Sequence, residues 1–336
     1  MSIGCAINYY NKMLEILKKE LGDIKEGELL SKHTTFRIGG PAKWFYEAKN
    51  NQDLIKALEI SEKLNIDYFV LGGGSNILVS DQGLDQFVIK QSNTHFAIDG
   101  EKVICESGAL VTEVLEATLQ AGLTGWAWAA GLPGTIGGAI RGNAGAYGEG
   151  MGDITTEVEV WMDGKVRKLS NQDMQFKYRH SIAKEKSMVI LGCILQLKKG
   201  DTASDRELVE KYNKKRRDTQ PVPVEEPNPG CAFKNIDLSK TQVDVERIKK
   251  ELSISDEEWT EKTKFGKLPV SFLVDKLGLK GKRIGGAEVS EKHGAFIINV
   301  GDAKAEHVVM LMSDLKMRMR DQLGILLEDE IQLVGF

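Results

Sequence analysis

The chain has 336 residues and is 41% hydrophobic, which is long enough for two or three domains and apolar enough for packed cores. Its 45 basic and 49 acidic residues give a formal charge of −4, so a basic nucleic-acid-binding surface is not expected, and no apolar run approaches the roughly 20 residues that span a bilayer. The four cysteines, Cys5, Cys105, Cys193 and Cys231, show no CxxC spacing, which argues against a zinc knuckle or a disulfide framework; no metal site is expected.

In chain order, residues 8–21 read as a short amphipathic helix with Met13, Ile16, Leu17 and Leu21 near one face. The N-terminus lacks a basic start followed by an apolar core, so a cytoplasmic location is expected. "AKWFYEA" reads as a strand, "NQDLIKALEISEKLN" as a capped helix, and "DYFVLGGGSNILVSD" as a strand that breaks into a glycine turn and resumes. "QFVIK" and "KVICESG" add strands and "LVTEVLEATLQAG" a helix. Beyond a glycine-rich stretch, "TTEVEVWMDGKVRKLS" reads as a hairpin with Asp-Gly at its turn and "SMVILGCILQLKKGD" as a buried strand. A helix is expected over residues 204–216, with Ser204 as its N-cap.

Four of the chain's seven prolines lie between Pro221 and Pro229, which predicts a stiff extended crossing at a domain boundary. Residues 244–264 are charged and helical in character. An apolar helix "PVSFLVDKLGLKG", a strand "AFIINVG", a long amphipathic helix and a last strand "EDEIQLVGF" complete the chain. Cys5, Cys105 and Cys193 are expected simply to pack.

Two glycine-rich segments stand out. "LGGGSN" follows an apolar strand directly, and three glycines let backbone N–H groups converge on phosphate oxygens; a plain structural turn is the alternative. No helix pattern opens after Gly74, so the dinucleotide fingerprint of a Rossmann fold is disfavoured. In the second segment, 11 of the 35 glycines lie between Gly122 and Gly152 among small residues. That pattern suits backbone lining an elongated ligand, or a series of tight turns over a core.

"HTTFRIGGPA", "LGGGSNILV", "GLPGTIGGAIRGNAGAYG", "YRHS", "PGCAFKN", "GLKGKRIGGAEVSEKHGAFIIN" and "LEDEIQLVG" occur in the order and approximate spacing of the UDP-N-acetylenolpyruvoylglucosamine reductase (MurB) family, from about His33 to Gly335. The resemblance implies an α+β protein with an FAD-binding fold of the vanillyl-alcohol-oxidase (PCMH) type in two subdomains, followed by a smaller α+β C-terminal substrate domain. The corresponding segments would be 1–30 as lead-in, 31–200 for FAD (divided at about 92 and 93), and 201–336 for substrate. It further implies non-covalent FAD, NADPH as co-substrate, and reduction of the UDP-sugar UDP-N-acetylglucosamine enolpyruvate to UDP-N-acetylmuramate in peptidoglycan precursor synthesis. A monomer is expected, with no nucleic-acid or membrane partner.

Residue by residue, the resemblance places Gly72, Gly73, Gly74, Ser75 and Asn76 around the FAD pyrophosphate. Gly131, Pro133, Gly134, Gly137, Gly138, Asn143, Gly145, Ala146 and Tyr147 would line its adenine and flavin side. Arg179 resembles the arginine that holds the substrate carboxylate, Glu330 the acid that stabilises enolate charge, and Cys231 stands where most relatives have the proton-donating serine. A thiol with a reference pKa of about 8.5 remains mainly protonated near neutral pH and can donate. Arg217, Gln220, Lys234, Asn235 and Glu288 match substrate-side positions, with Ser290 and Lys292 as further contacts. His293 is expected to be a packed histidine, and Tyr178 a support for Arg179. The chain resembles the members that lack an inserted tyrosine loop, while residues 236–267 are longer than expected, either a surface insertion or a lid. A flavin-dependent oxidase or a non-catalytic FAD-binding module would also explain both glycine segments, but would leave Arg179, Cys231 and Glu330 without a shared purpose.

Overall fold

The computed structural model describes residues 3–336, with side chains from Tyr10 onward, so the expected packing of Cys5 lies outside the described residues. The chain divides into two compact units that exchange segments. The first comprises Met1–Glu28, Pro41–Gly73 and Leu84–Lys214, and the second Leu29–Gly40, Gly74–Gly83 and Lys215–Phe336. These bounds differ from a linear segmentation at 30, 92 and 200. The reason is strand pairing: Ile77–Val79 runs parallel to Gln332–Val334, and the Gly40 N–H donates to the Ser80 carbonyl at 2.9 Å, which draws both short segments into the second unit.

In the first unit, strand Leu84–Gln91 lies between Pro41–Ala48 and Tyr68–Leu71 in parallel register, with Lys25–Leu29 on the outer edge. Parallel strands are covered on both faces and read as near-continuous apolar runs, as "FVIK" and "YFVL" do. Asn50 caps helix Asn51–Lys63 by accepting the Asp53 N–H, and the helix buries Leu54, Ala57 and Leu58 in a core with Trp44, Phe87 and Ile89. A five-stranded antiparallel sheet follows, ordered Lys165–Ser170, Thr155–Met162, Val189–Gln196, Lys102–Glu106 and Phe96–Asp99. Its outer hairpin turns at Asp163 and Gly164 with φ of 52° and 71°, as the Asp-Gly pair predicts. Cys105 and Cys193 face each other across neighbouring strands and are buried.

The helix expected from Ser204 begins earlier and runs over Thr202–Thr219. Its first turn is closed by Asp201, whose Oδ1 accepts the Ala203 N–H at 2.9 Å, rather than by Ser204. The boundary between the units falls within this helix, between Lys214 and Lys215. The proline-rich crossing predicted as a boundary follows immediately.

In the second unit, a three-stranded antiparallel sheet, Arg283–Ile284, Ala287–Val289 and Ile297–Asn299, shares a core with the long helix Ala305–Leu323. The charged stretch 236–267 belongs to that core. It forms helices Val245–Leu252 and Asp256–Thr263, broken at Ser253 in the left-handed region (φ 52°), and buries Ile248, Leu252 and Ile254. Pairing of Ile236 with Leu268 closes its base, and Arg247 donates to the carbonyls of Asp321 and Gln322 at the end of the long helix. Such anchoring makes it an integral helical pair and not a lid. Among the described residues, no helix is long and apolar enough to cross a membrane.

Candidate active site

In the first unit the two glycine segments meet. Gly72 and Gly73 directly follow strand Tyr68–Leu71, and a Cβ on Gly73 would lie 2.6 Å from the Gly134 Cα and 3.1 Å from the Thr135 nitrogen. Glycine at 73 is therefore imposed by the second segment. The same holds at Gly137, where a Cβ would lie 2.8 Å from the Ser107 Cβ, and at Gly145, where it would lie 2.2 Å from the Glu149 carbonyl oxygen. Gly138 is different: it is exposed, and only the Thr135 hydroxyl, at 3.6 Å, lies near its missing Cβ. There the absence of a side chain leaves room for a ligand against backbone.

Thr135 caps the short helix Ile136–Gly142 and accepts the Gly138 N–H. Asn143 ends that helix in the left-handed region (φ 43°) and fastens two neighbours, accepting the Gly152 N–H and donating to the Lys177 carbonyl, each at 2.9 Å. Gly131 and Pro133 are exposed on the approach to it. Gly145 and Ala146 pair antiparallel with Gly150 and Glu149 in a hairpin that carries Tyr147 at its tip with φ of 58°. Tyr147 stacks face to face on Tyr212 at 3.9 Å. Arg179 reaches this hairpin, donating from its guanidinium to the Gly145 carbonyl at 3.0 Å, and its own backbone is held left-handed at φ 54°. Lys184 fixes the Arg179 carbonyl at 2.8 Å, and the guanidinium lies 5.3 Å from the Tyr178 ring centre. Non-glycine residues in the left-handed region persist where surrounding contacts hold them, and they cluster at functional sites.

In the second unit, backbone pairing brings Cys231 and Glu330 into one layer. Cys231 bridges Phe296, the Ala232 N–H donates to Ala295, the Glu330 N–H donates to Ala232 at 2.9 Å, and Phe233 bridges Asp329. The Asn76 side chain holds the Glu330 carbonyl at 3.2 Å, and the Asn76 carbonyl accepts from Gln332. Asn76 thus orders the strand that presents Glu330. Gly74 is buried at φ 63°, where a Cβ would meet the His33 carbonyl oxygen at 2.2 Å, and Ser75 follows it half-buried. Lys234 pairs with the exposed Glu328 at 3.1 Å, and Asn235 accepts the Val270 N–H at the start of helix Val270–Lys276. Arg217 is exposed and Gln220 half-buried near the end of their helix, and Glu288 sits opposite Arg283 in the small sheet. Ser290 is fully buried, and the exposed Lys292 pairs with Glu226.

His293 packs edge-on against Phe296 at 4.9 Å, and burial together with the nearby Lys280 charge pulls its pKa down to about 4. It is neutral near pH 7, as a packed histidine should be.

One residue of this layer escaped sequence reasoning. Asn228 is 1% exposed, and its side chain donates to the carbonyls of Pro221 and Glu226 and accepts the Gly230 N–H, while its own carbonyl accepts from Thr35 at 2.7 Å. It folds the proline-rich crossing into a fixed turn just before Cys231. Between two prolines it reads only as a turn former, and no local signal marks its three-way role.

A glycine turn at the carboxyl end of a parallel strand, closed against a second glycine segment, is suited to a nucleotide's phosphates. Among the described residues, no protein acceptor takes the Gly73 N–H, which fits that role. Residues 42–170 match the FAD binding domain, and the chain is an FAD-binding protein with the fold of the vanillyl-alcohol-oxidase type. Residues 222–334 match the C-terminal domain of UDP-N-acetylenolpyruvoylglucosamine reductase. Similar proteins carrying that name include one from Caldanaerobacter subterraneus subsp. tengcongensis, 35% identical over 96% of this chain and 99% of the relative. Another, from Caldicellulosiruptor bescii, is 37% identical over 91% and 89%. The crystal structure of UDP-N-acetylenolpyruvylglucosamine reductase (MurB) from Thermus caldophilus superposes with a TM-score of 0.74 at 28% identity, covering 93% of this chain and all of that one. The chain belongs to the UDP-N-acetylenolpyruvoylglucosamine reductase family, a family of FAD-dependent oxidoreductases.

Proposed function

We propose that the protein reduces UDP-N-acetylglucosamine enolpyruvate to UDP-N-acetylmuramate, with NADPH as the electron source, as a step in peptidoglycan precursor synthesis. The observation that carries the reading is family membership over nearly the whole chain, with Cys231 and Glu330 carried on adjoining segments of one backbone layer of the second unit. The glycine turns of the first unit would hold FAD, which would supply the relay of hydride from NADPH to the terminal enolpyruvyl carbon.

The remaining chemistry belongs to side chains. The Arg179 guanidinium holds the substrate carboxylate, where a planar fork matches two oxygens better than an ammonium. Glu330 stabilises the charge that develops as the enolate forms, and the Cys231 thiol delivers the proton to the neighbouring carbon. Arg217, Gln220, Lys234, Asn235 and Glu288 contribute to binding the UDP-sugar. Gly74, Ser75 and Asn76 continue the phosphate turn, and Asn143, Gly145, Ala146 and Tyr147 border the cofactor. The protein acts as a cytoplasmic monomer.

The test is an anaerobic reaction in D₂O with NADPH and UDP-N-acetylglucosamine enolpyruvate. The expected result is one UDP-N-acetylmuramate per NADPH, with solvent deuterium at the carbon next to the carboxylate. Absence of product, with oxygen consumed rapidly once air is admitted, would favour an oxidase instead.

A further inference from the structure

The first glycine turn carries an unexpected cation. Lys90 lies near the end of strand Leu84–Gln91, opposite Leu71 on one neighbouring strand and Glu47 on the other. Its side chain turns toward the carboxyl end of the sheet, and its ammonium donates to the carbonyl of Gly72. Burial pulls its pKa down to about 8, against the upward pull of Glu47. A lysine held there loses solvation, and strands of this kind usually fill the position with an apolar side chain.

The hydrogen bond fixes the direction of a peptide plane. Across a trans peptide the C=O of Gly72 and the N–H of Gly73 point in opposite directions. A cation anchoring the carbonyl on one side therefore presents the next N–H on the other. Gly73 cannot easily yield, because Gly134 and Thr135 press against it where a Cβ would be.

We propose that Lys90 is a positioning residue for the bound dinucleotide: its ammonium pins the Gly72 carbonyl, which turns the Gly73 N–H toward the FAD pyrophosphate. This rests on the reading that the Gly72–Gly73 turn takes that pyrophosphate. The lysine acts through the backbone of the turn and adds a positive charge behind it, and both effects favour a dianionic group.

The experiment measures release of FAD from the purified holoprotein by flavin fluorescence, for wild type, Lys90→Met, Lys90→Arg and Gly72→Ala, together with the melting temperature of each protein stripped of FAD. Lys90→Met should weaken FAD binding about tenfold or more. The melting temperature without FAD should hold or rise, since an apolar side chain replaces a buried charge. Lys90→Arg should recover part of the affinity. If Lys90→Met keeps wild-type FAD affinity while Gly72→Ala loses it, Lys90 has no such role although the turn does bind the cofactor. If both keep it, the turn itself is not the pyrophosphate site. FAD loss that only follows a lowered melting temperature would mark Lys90 as structural and overturn the proposal. Should Lys90→Met fail to fold, Lys90→Leu, which likewise removes both the donor and the charge, must show the same loss of affinity at unchanged melting temperature.

Discussion

Around the residues singled out by the motifs, the two units use backbone for different ends. In the first, side chains are removed so that one stretch of main chain can lie against another: Gly73 against Gly134, Gly137 against Ser107, Gly145 against Glu149. In the second, main-chain pairing is used to aim side chains, with Ala232 linked to both Ala295 and Glu330 and the Asn228 turn leading into Cys231. The contrast teaches that a dense run of glycine marks where main chain packs closely on main chain. The reacting groups we propose come from ordinary strands and turns.

That contrast can be broken at its strongest point first. Gly73→Ala places a methyl group 2.6 Å from the Gly134 Cα, with backbone on both sides and no flexible side chain to give way. The expected cost is about 2 to 3 kcal/mol of stability, with loss of bound FAD and hence of every downstream reaction. Chemical denaturation and the flavin absorbance of the purified protein measure both. A stable yellow Gly73→Ala protein would show that the two segments can separate without consequence.

A smaller effect, confined to the second unit, is expected from Asn228→Ala. It leaves the Pro221 and Glu226 carbonyls and the Gly230 N–H without their side-chain partner, a loss of about 1 to 3 kcal/mol. Substrate reduction should slow about tenfold or more as the Cys231 turn loosens, while FAD reduction by NADPH stays at the wild-type rate. Rapid mixing of each half-reaction separates the two, and Asn228→Asp, which keeps the acceptor and loses the donor, should fall between.

The smallest effect is a pH dependence. His293 titrates at about 4 when folded against 6.5 unfolded, so between those values the unfolded chain binds more protons and stability falls as pH falls. From pH 7.5 to 5.5 this amounts to about 1 kcal/mol, and His293→Gln should flatten that part of a denaturation-midpoint profile. An unchanged slope would place the acid sensitivity elsewhere.

Much of the first unit was legible from local pattern: apolar runs gave strands, "NQDLIKALEISEKLN" a capped helix, and Asp163-Gly164 the hairpin. The exchange of segments was not, because the three-residue strand Ile77–Val79 carries no sign that its partner lies at Gln332–Val334. The density of glycine signalled close approach, and at Gly73, Gly137 and Gly145 another stretch of the same chain packs against the backbone. Ser290 and Lys292 looked available beside a family motif, yet one is buried and the other ion-paired. Asn228 and Lys90 were invisible for one shared reason: their partners are backbone atoms, and no residue type announces those.

The division of labour is tested most directly in Cys231→Ala, by timing the reduction of FAD by NADPH and its reoxidation by UDP-N-acetylglucosamine enolpyruvate separately, without oxygen. The first step should proceed at the wild-type rate and the second should slow about a hundredfold or more, with Cys231→Ser restoring much of it. Equal slowing of both steps would contradict the account and make Cys231 a structural residue.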